Sequence, residues 1–80
     1  MVKRLLRLPE VSAARGESRS TIYNRISDRL LTRPIPLGPR LVGWPEHEIA
    51  ALNDARIRGE SDDEIRTLVE QLEAARKRVA

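Results

Sequence analysis

The sequence predicts a small, mainly α fold: two short helices and a glycine turn, a short β-hairpin, then two further helices at the C-terminal end. Three observations point there. Apolar residues recur at helical steps on both sides of a central break, at Ile22, Ile26 and Leu30 and again at Ile65, Leu68 and Leu72. The break, residues 32–45, carries Pro34, Pro36, Gly38, Pro39, Gly43 and Pro45, which exclude a helix. A chain of 80 residues buries only about 60–65% of its unfolded surface, enough for one modest core.

The first seven residues are basic and apolar without a clear period, and Leu5, Leu6 and Leu8 suit an extended lead-in docked on the core. Pro9 then suits the first turn of a helix, where Glu10 adds favourable charge. Val11 and Ala14 are expected to face inward, and Gly16 to stop the helix after barely two turns. Ser18 is a good N-cap for a second helix, with Thr21 at the third helical position. Ile22, Ile26 and Leu30 form its buried stripe, and Arg19, Ser20, Tyr23, Asn24 and Ser27 its polar side. Two short helices around a glycine turn, the second polar on one face, outline a helix-turn-helix.

The pieces Ile35–Leu37 and Arg40–Trp44 flank a Gly38-Pro39 turn and read as a hairpin, or wing. Pro36 restricts the first arm to a sheet edge, because it has no N–H to donate inward. Trp44 is expected in the core, since a chain without Phe needs its one large ring inside. Helix returns at Pro45 with Glu46 and Glu48 in the first turn, Ile49, Leu52 and Ile57 on the apolar face, and Gly59 as the stop. Ser61 caps the last helix, with Asp62, Asp63 and Glu64 at its start and Arg76, Lys77 and Arg78 at its end. Ile65, Leu68, Leu72, Ala75 and Val79 give it a heptad-like seam.

The formal net charge of +3 hides an asymmetry. Up to Trp44 there are nine cations and three acids, a net of +6; beyond it there are six cations and nine acids, a net of −3. Eight of the nine N-terminal cations are arginines, the side chain suited to bidentate phosphate and guanine contacts. Such a separation points to a face for a polyanion.

Other function classes fare badly. Cysteine is absent and histidine occurs once, at His47 in a Glu-His-Glu run, so thiolate chemistry and Cys- or His-rich metal sites are excluded. No nucleophile–base pattern and no phosphate-cradling glycine loop is present, so neither an enzyme nor a cofactor is expected. No run of 18 apolar residues and no apolar leader occurs, which implies a soluble, cytoplasmic domain with no membrane partner.

The second helix is the candidate site. A helix fits the major groove, where base edges differ in their donors and acceptors. Ser20, Tyr23 and Asn24 would address bases, with Arg19 and Arg25 on the flanks. Ser18, Thr21 and the free N–H groups of the first turn would hold a phosphate oxygen. Tyr23 stands between packing and contact. Arg40, near the hairpin turn, would reach a minor groove or a phosphate, or simply be solvated.

The runs Arg7–Val11, Ser18–Tyr23, Arg33–Arg40 and Val42–Pro45 resemble the AlpA family of prophage regulatory proteins, over about Leu5 to Ile57. That family lies within the excisionase-like and MerR-like winged helix-turn-helix group. The resemblance implies DNA binding, with Ser18, Arg19, Ser20, Thr21 and Tyr23 on the recognition helix and Arg40 on the wing. It implies a transcriptional regulator, or an excision factor that works with an integrase. Several features depart from the family pattern. Asn24 stands where an Arg or other polar residue is common, residues 27–34 lack the glycine usual between recognition helix and wing, and Leu31 replaces a usual aromatic. Pro36 replaces a frequent basic or polar residue, and Leu52 stands where tryptophan is typical.

Residues 1–59 are thus expected to form the DNA-binding domain and residues 60–80 an amphipathic helix beyond it. The tail's seam would either thicken the core or pair with a second copy, and of these self-association, giving a homodimer, is favoured. The competing function is a protein–protein adaptor whose C-terminal helix recruits an integrase or another partner.

Overall fold

Leu6 and Trp44 sit side by side on neighbouring strands, and both are buried. The computed structural model describes residues 2–78. Strand β1 (Leu5–Leu6) leads into helix α1 (Leu8–Arg15) and helix α2 (Arg19–Ser27). Strands β2 (Ile35–Gly38) and β3 (Leu41–Pro45) follow, then helices α3 (Glu46–Ile57) and α4 (Asp62–Ala75), with a 3-10 turn over Arg76–Arg78. The antiparallel sheet has the order β1-β3-β2. This is the mainly α, small winged helix-turn-helix that the patterning predicts, with the hairpin as wing.

The local reasons hold at most element ends. Gly16 closes α1 at φ 65°, a left-handed conformation that costs glycine little. Ser18 Oγ accepts the Thr21 N–H at 3.2 Å and so caps α2. Ser61 and Glu64 complete a reciprocal capping box at the start of α4. Pro36 lies on the edge strand, as its missing N–H requires. The turn between β2 and β3 is one residue later than expected: Gly38 belongs to β2, and Pro39 and Arg40 form the tip.

One cluster of apolar side chains spans the whole chain. Leu6, Val11, Ile22, Leu30, Leu31, Trp44, Ile49, Leu52, Ala55, Ile65 and Val69 make up the buried core. The Trp44 indole N–H donates to the Thr32 carbonyl oxygen at 2.9 Å, which ties β3 to the segment before β2. Of the two uses weighed for the tail, the structure describes packing within one chain. Ile65 and Val69 are buried in the shared core, and Leu68 and Leu72 lie partly against it.

Several inward assignments are corrected. Ala14 is exposed, because α1 is too short to bury a second full turn. Leu30 is buried but lies beyond the end of α2, where the chain has already turned at Asp28 and Arg29. Ile57 is 82% exposed at the last turn of α3, and Ala55 takes the inward place. In α4 the seam runs through Val69, and Ala75 is exposed. Val79 lies outside the described residues.

Candidate nucleic-acid interface

Helix α2 is nine residues, about 13 Å long at 1.5 Å per residue. Its inner side is fixed by Ile22, which is fully buried, and Ile26, which is partly so. Ser20, Tyr23, Asn24 and Ser27 follow at steps of three and four on the outer side, and all are exposed. Among the described residues, the side chains of Arg19, Ser20, Tyr23 and Asn24 make no hydrogen bond within the protein, so their donors and acceptors are available to a ligand. Tyr23 is 40% exposed, which resolves its expected ambiguity towards the surface.

The start of the same helix is less open than the sequence suggests. Ser18 Oγ is engaged in capping and lies 3.0 Å from Thr21 Oγ1, so both hydroxyls already have a partner. The Ser18 hydroxyl caps the Thr21 N–H, and among the described residues the N–H groups of Arg19 and Ser20, one and two residues into the helix, have no capping oxygen. Helix termini of this kind attract anions through the aligned peptide dipoles.

Arginines divide into two groups. Arg25 donates to Glu17 Oε2 at 3.1 Å, and Glu17 also accepts from the nearly buried Arg15 at 3.0 Å. Arg15 reaches further to Asn53 Oδ1 at 3.3 Å, and Asn53 Nδ2 donates to Ala14 O at 3.1 Å. Arg25 therefore helps to lock α1, α2 and α3 together, and it is less free for a phosphate than the sequence implies. Arg4 and Arg33 are likewise paired with carboxylates, Arg4 with Glu10 and Glu46 and Arg33 with Glu73. Of the nine N-terminal cations, Lys3, Arg7, Arg19, Arg29 and Arg40 have no carboxylate partner among the described residues.

Arg40 is exposed at the tip of the wing, between Pro39 and Leu41. Leu37 is the irregular residue between the Pro36 and Gly38 pairings, and it packs over Gly43. A Cβ at Gly43 would fall 2.8 Å from Leu37 Cδ1 and 3.3 Å from the Leu6 carbonyl oxygen, so a larger residue there would push the Leu37 side chain aside and crowd β1.

Sequence reasoning missed a set of residues behind this surface. Glu48 reads as a helix-dipole acid, yet it is fully buried and pairs with Arg76. Arg76 Nε donates to Oε2 at 2.8 Å and Nη2 to Oε1 at 2.7 Å. A signal was present: Glu48, Leu52 and Ala55 share the buried side of α3 at steps of four and three. The hydrogen bond to Glu48, the larger effect, and its charge raise the Arg76 pKa further, against an opposing cost of burial. Arg29 is the second surprise, with φ 64°, a left-handed conformation unusual for a residue other than glycine, in the link between α2 and the wing.

A family model described as Prophage CP4-57 regulatory protein (AlpA) matches residues 4–56. The chain belongs to that family. The AlpA match takes in β1 to α3 and agrees with the stretch picked out by its motifs, while α4 lies beyond it. A relative of this AlpA-family chain is an uncharacterized protein, ORF88, of Enterobacteria phage P4. The two are 40% identical over 57 residues, 71% of this chain and 65% of the phage protein. The chain thus spans just under two-thirds of that relative's length. No solved structure matches it. Among the described residues, no helix is long and apolar enough to cross a membrane, and no group of three or more His, Cys, Asp or Glu side chains is placed to hold a metal ion.

Proposed function

We propose that this AlpA-family chain is a sequence-specific DNA-binding regulator of prophage or genomic-island genes. In this reading α2 enters the major groove and the wing lies on the adjacent backbone or minor groove. Ser20, Tyr23 and Asn24 address base edges, and Arg19 and Arg40 hold phosphates from the helix and the wing. The Arg19 and Ser20 N–H groups add a dipole-assisted contact to one phosphate oxygen. The observation that supports this most is the outer side of α2, next to Arg19 and Arg29, which no carboxylate pairs among the described residues, in a chain of a prophage regulatory family.

The regulator acts in one of two ways, on transcription or on the direction of recombination together with an integrase. Footprinting on DNA flanking the gene separates them. Protection beside a promoter assigns transcriptional control, and protection within an attachment site assigns excision. A chain that protects no discrete site on that DNA contradicts the reading. The adaptor alternative predicts that activity survives when Arg19 and Arg40 are both replaced by alanine, whereas a DNA reader loses it.

A further inference from the structure

We infer that helix α4 positions the wing for DNA, with Glu73 and Arg76 as positioning residues that act through the backbone of Arg33. The inference rests on the DNA-binding reading above and extends it to a part of the chain outside the family match.

Residues 28–34 join the recognition helix to the wing, and α4 holds both ends of this link. Near α2, Arg66 Nε donates to the Asp28 carbonyl oxygen at 3.0 Å. At the wing root, the Arg33 N–H donates to Glu73 Oε2 at 2.7 Å, and the Arg33 carbonyl accepts from Arg76 Nη2 at 2.7 Å. Both backbone polar groups of one residue are therefore satisfied by side chains of the C-terminal segment. The next residue, Pro34, has no N–H to offer, and the ladder to β3 begins only at Ile35, opposite Gly43. Within the sheet, the Trp44 indole holds the Thr32 carbonyl just before the root, while both hydrogen bonds of Arg33 itself run to the C-terminal segment.

Arg76 is held on two prongs by Glu48, whose side chain is fully buried in the first turn of α3. The path runs from the core through Glu48 and Arg76 to the Arg33 carbonyl, and from α4 through Glu73 to the Arg33 N–H. Hydrogen bonds to ionised groups are short and strong, which suits a fixed joint. Geometry makes the joint matter. The four residues of β2 place the tip about 13 Å from the root. A swing of about 10° there carries Arg40 roughly 2 Å, more than a phosphate hydrogen bond tolerates.

The test is a double-mutant cycle between the joint and the tip, read as DNA affinity and its salt dependence. In the wild-type chain, R40A is expected to weaken binding about tenfold and to flatten the salt slope by about 1. In the E48Q/R76M background, which removes the buried pair without stranding one charge, the same R40A change is expected to cost less than about twofold. E73A leaves the Glu48–Arg76 pair intact and should also abolish most of the R40A effect, even if E48Q/R76M folds poorly. E73Q, whose amide oxygen still accepts the Arg33 N–H, should restore it.

Amide exchange at Arg33 should speed up in E73A while that of Ile22 does not, a readout independent of DNA. An R40A penalty that is equal in the wild-type and E73A backgrounds overturns the inference, with the DNA-binding reading intact. A wild-type chain that binds no DNA is a different failure: it removes that reading, and this inference with it.

Discussion

Glu48 and Arg76, 28 residues apart, form a two-pronged ion pair that joins a fully buried carboxylate in the first turn of α3 to the turn after α4. Removing one partner leaves the other desolvated, so R76M is expected to cost about 3 kcal/mol in urea denaturation. The E48Q/R76M double variant should recover much of that loss, because no lone charge stays buried. Equal stability of R76M and the wild type would show that the pair carries nothing. The raised Arg76 pKa keeps its side of the pair charged: this stability is fully present below the unfolded-state value and fades only in strong alkali.

Arg29 adopts φ 64°, and among the described residues no carboxylate pairs with its side chain. A left-handed non-glycine residue costs about 1–2 kcal/mol, part of which glycine returns through a more flexible unfolded chain. R29G is therefore expected to raise stability by about 0.5 kcal/mol, and R29A to give no gain. A melting temperature that falls in R29G would place the cost of this turn elsewhere.

Thr32 and Trp44 should respond with opposite signs. Thr32 is fully buried, and its Oγ1 has no partner among the described residues. T32V exchanges an unsatisfied hydroxyl for a methyl group of similar size and should stabilise by about 1 kcal/mol. W44F removes the donor to the Thr32 carbonyl and leaves a gap in the core, at a cost of about 2–3 kcal/mol. Thermal melts of the two variants check both signs.

Much of this fold was legible in the sequence because its signals are local. Gly16, Ser18, Ser61 and Pro36 each act within a few residues, and each does in the structure what its chemistry implies. The outer side of α2 was legible for the same reason, since the spacing of Ile22 and Ile26 fixes what faces away. The rest depends on contacts across 28 to 43 residues: Glu48 to Arg76, Arg33 to Glu73, and Arg76 to the Arg33 carbonyl. Periodicity carries no information about such partners. Arg25 reads as a free cation for the same reason, because Glu17 reaches it only once the turn at Gly16 has formed.

Acid should loosen the start of α4 before the core. The Ser61 backbone N–H, and after it the Ser61 hydroxyl, hold the Glu64 carboxylate below its usual pKa. A lowered carboxylate pKa gives stability that is present above the unfolded-state value and is lost as pH falls through the folded one. The wild type should therefore be more stable than E64Q at neutral pH, and the gap between their melting temperatures should close on acidification. A gap that stays constant down to pH values well below the carboxylate range would contradict the capping role.

The salt dependence of DNA affinity tests the central claim most directly. Five N-terminal cations, Lys3, Arg7, Arg19, Arg29 and Arg40, lack a carboxylate partner among the described residues. If about five phosphates are neutralised, log affinity should fall against log salt with a slope near −4 to −5. R19A and R40A should each reduce that slope by about 1, and R25A, whose guanidinium is committed to Glu17, by less. An affinity that stays flat between low and high salt, or is unchanged by R19A and R40A, would contradict the account.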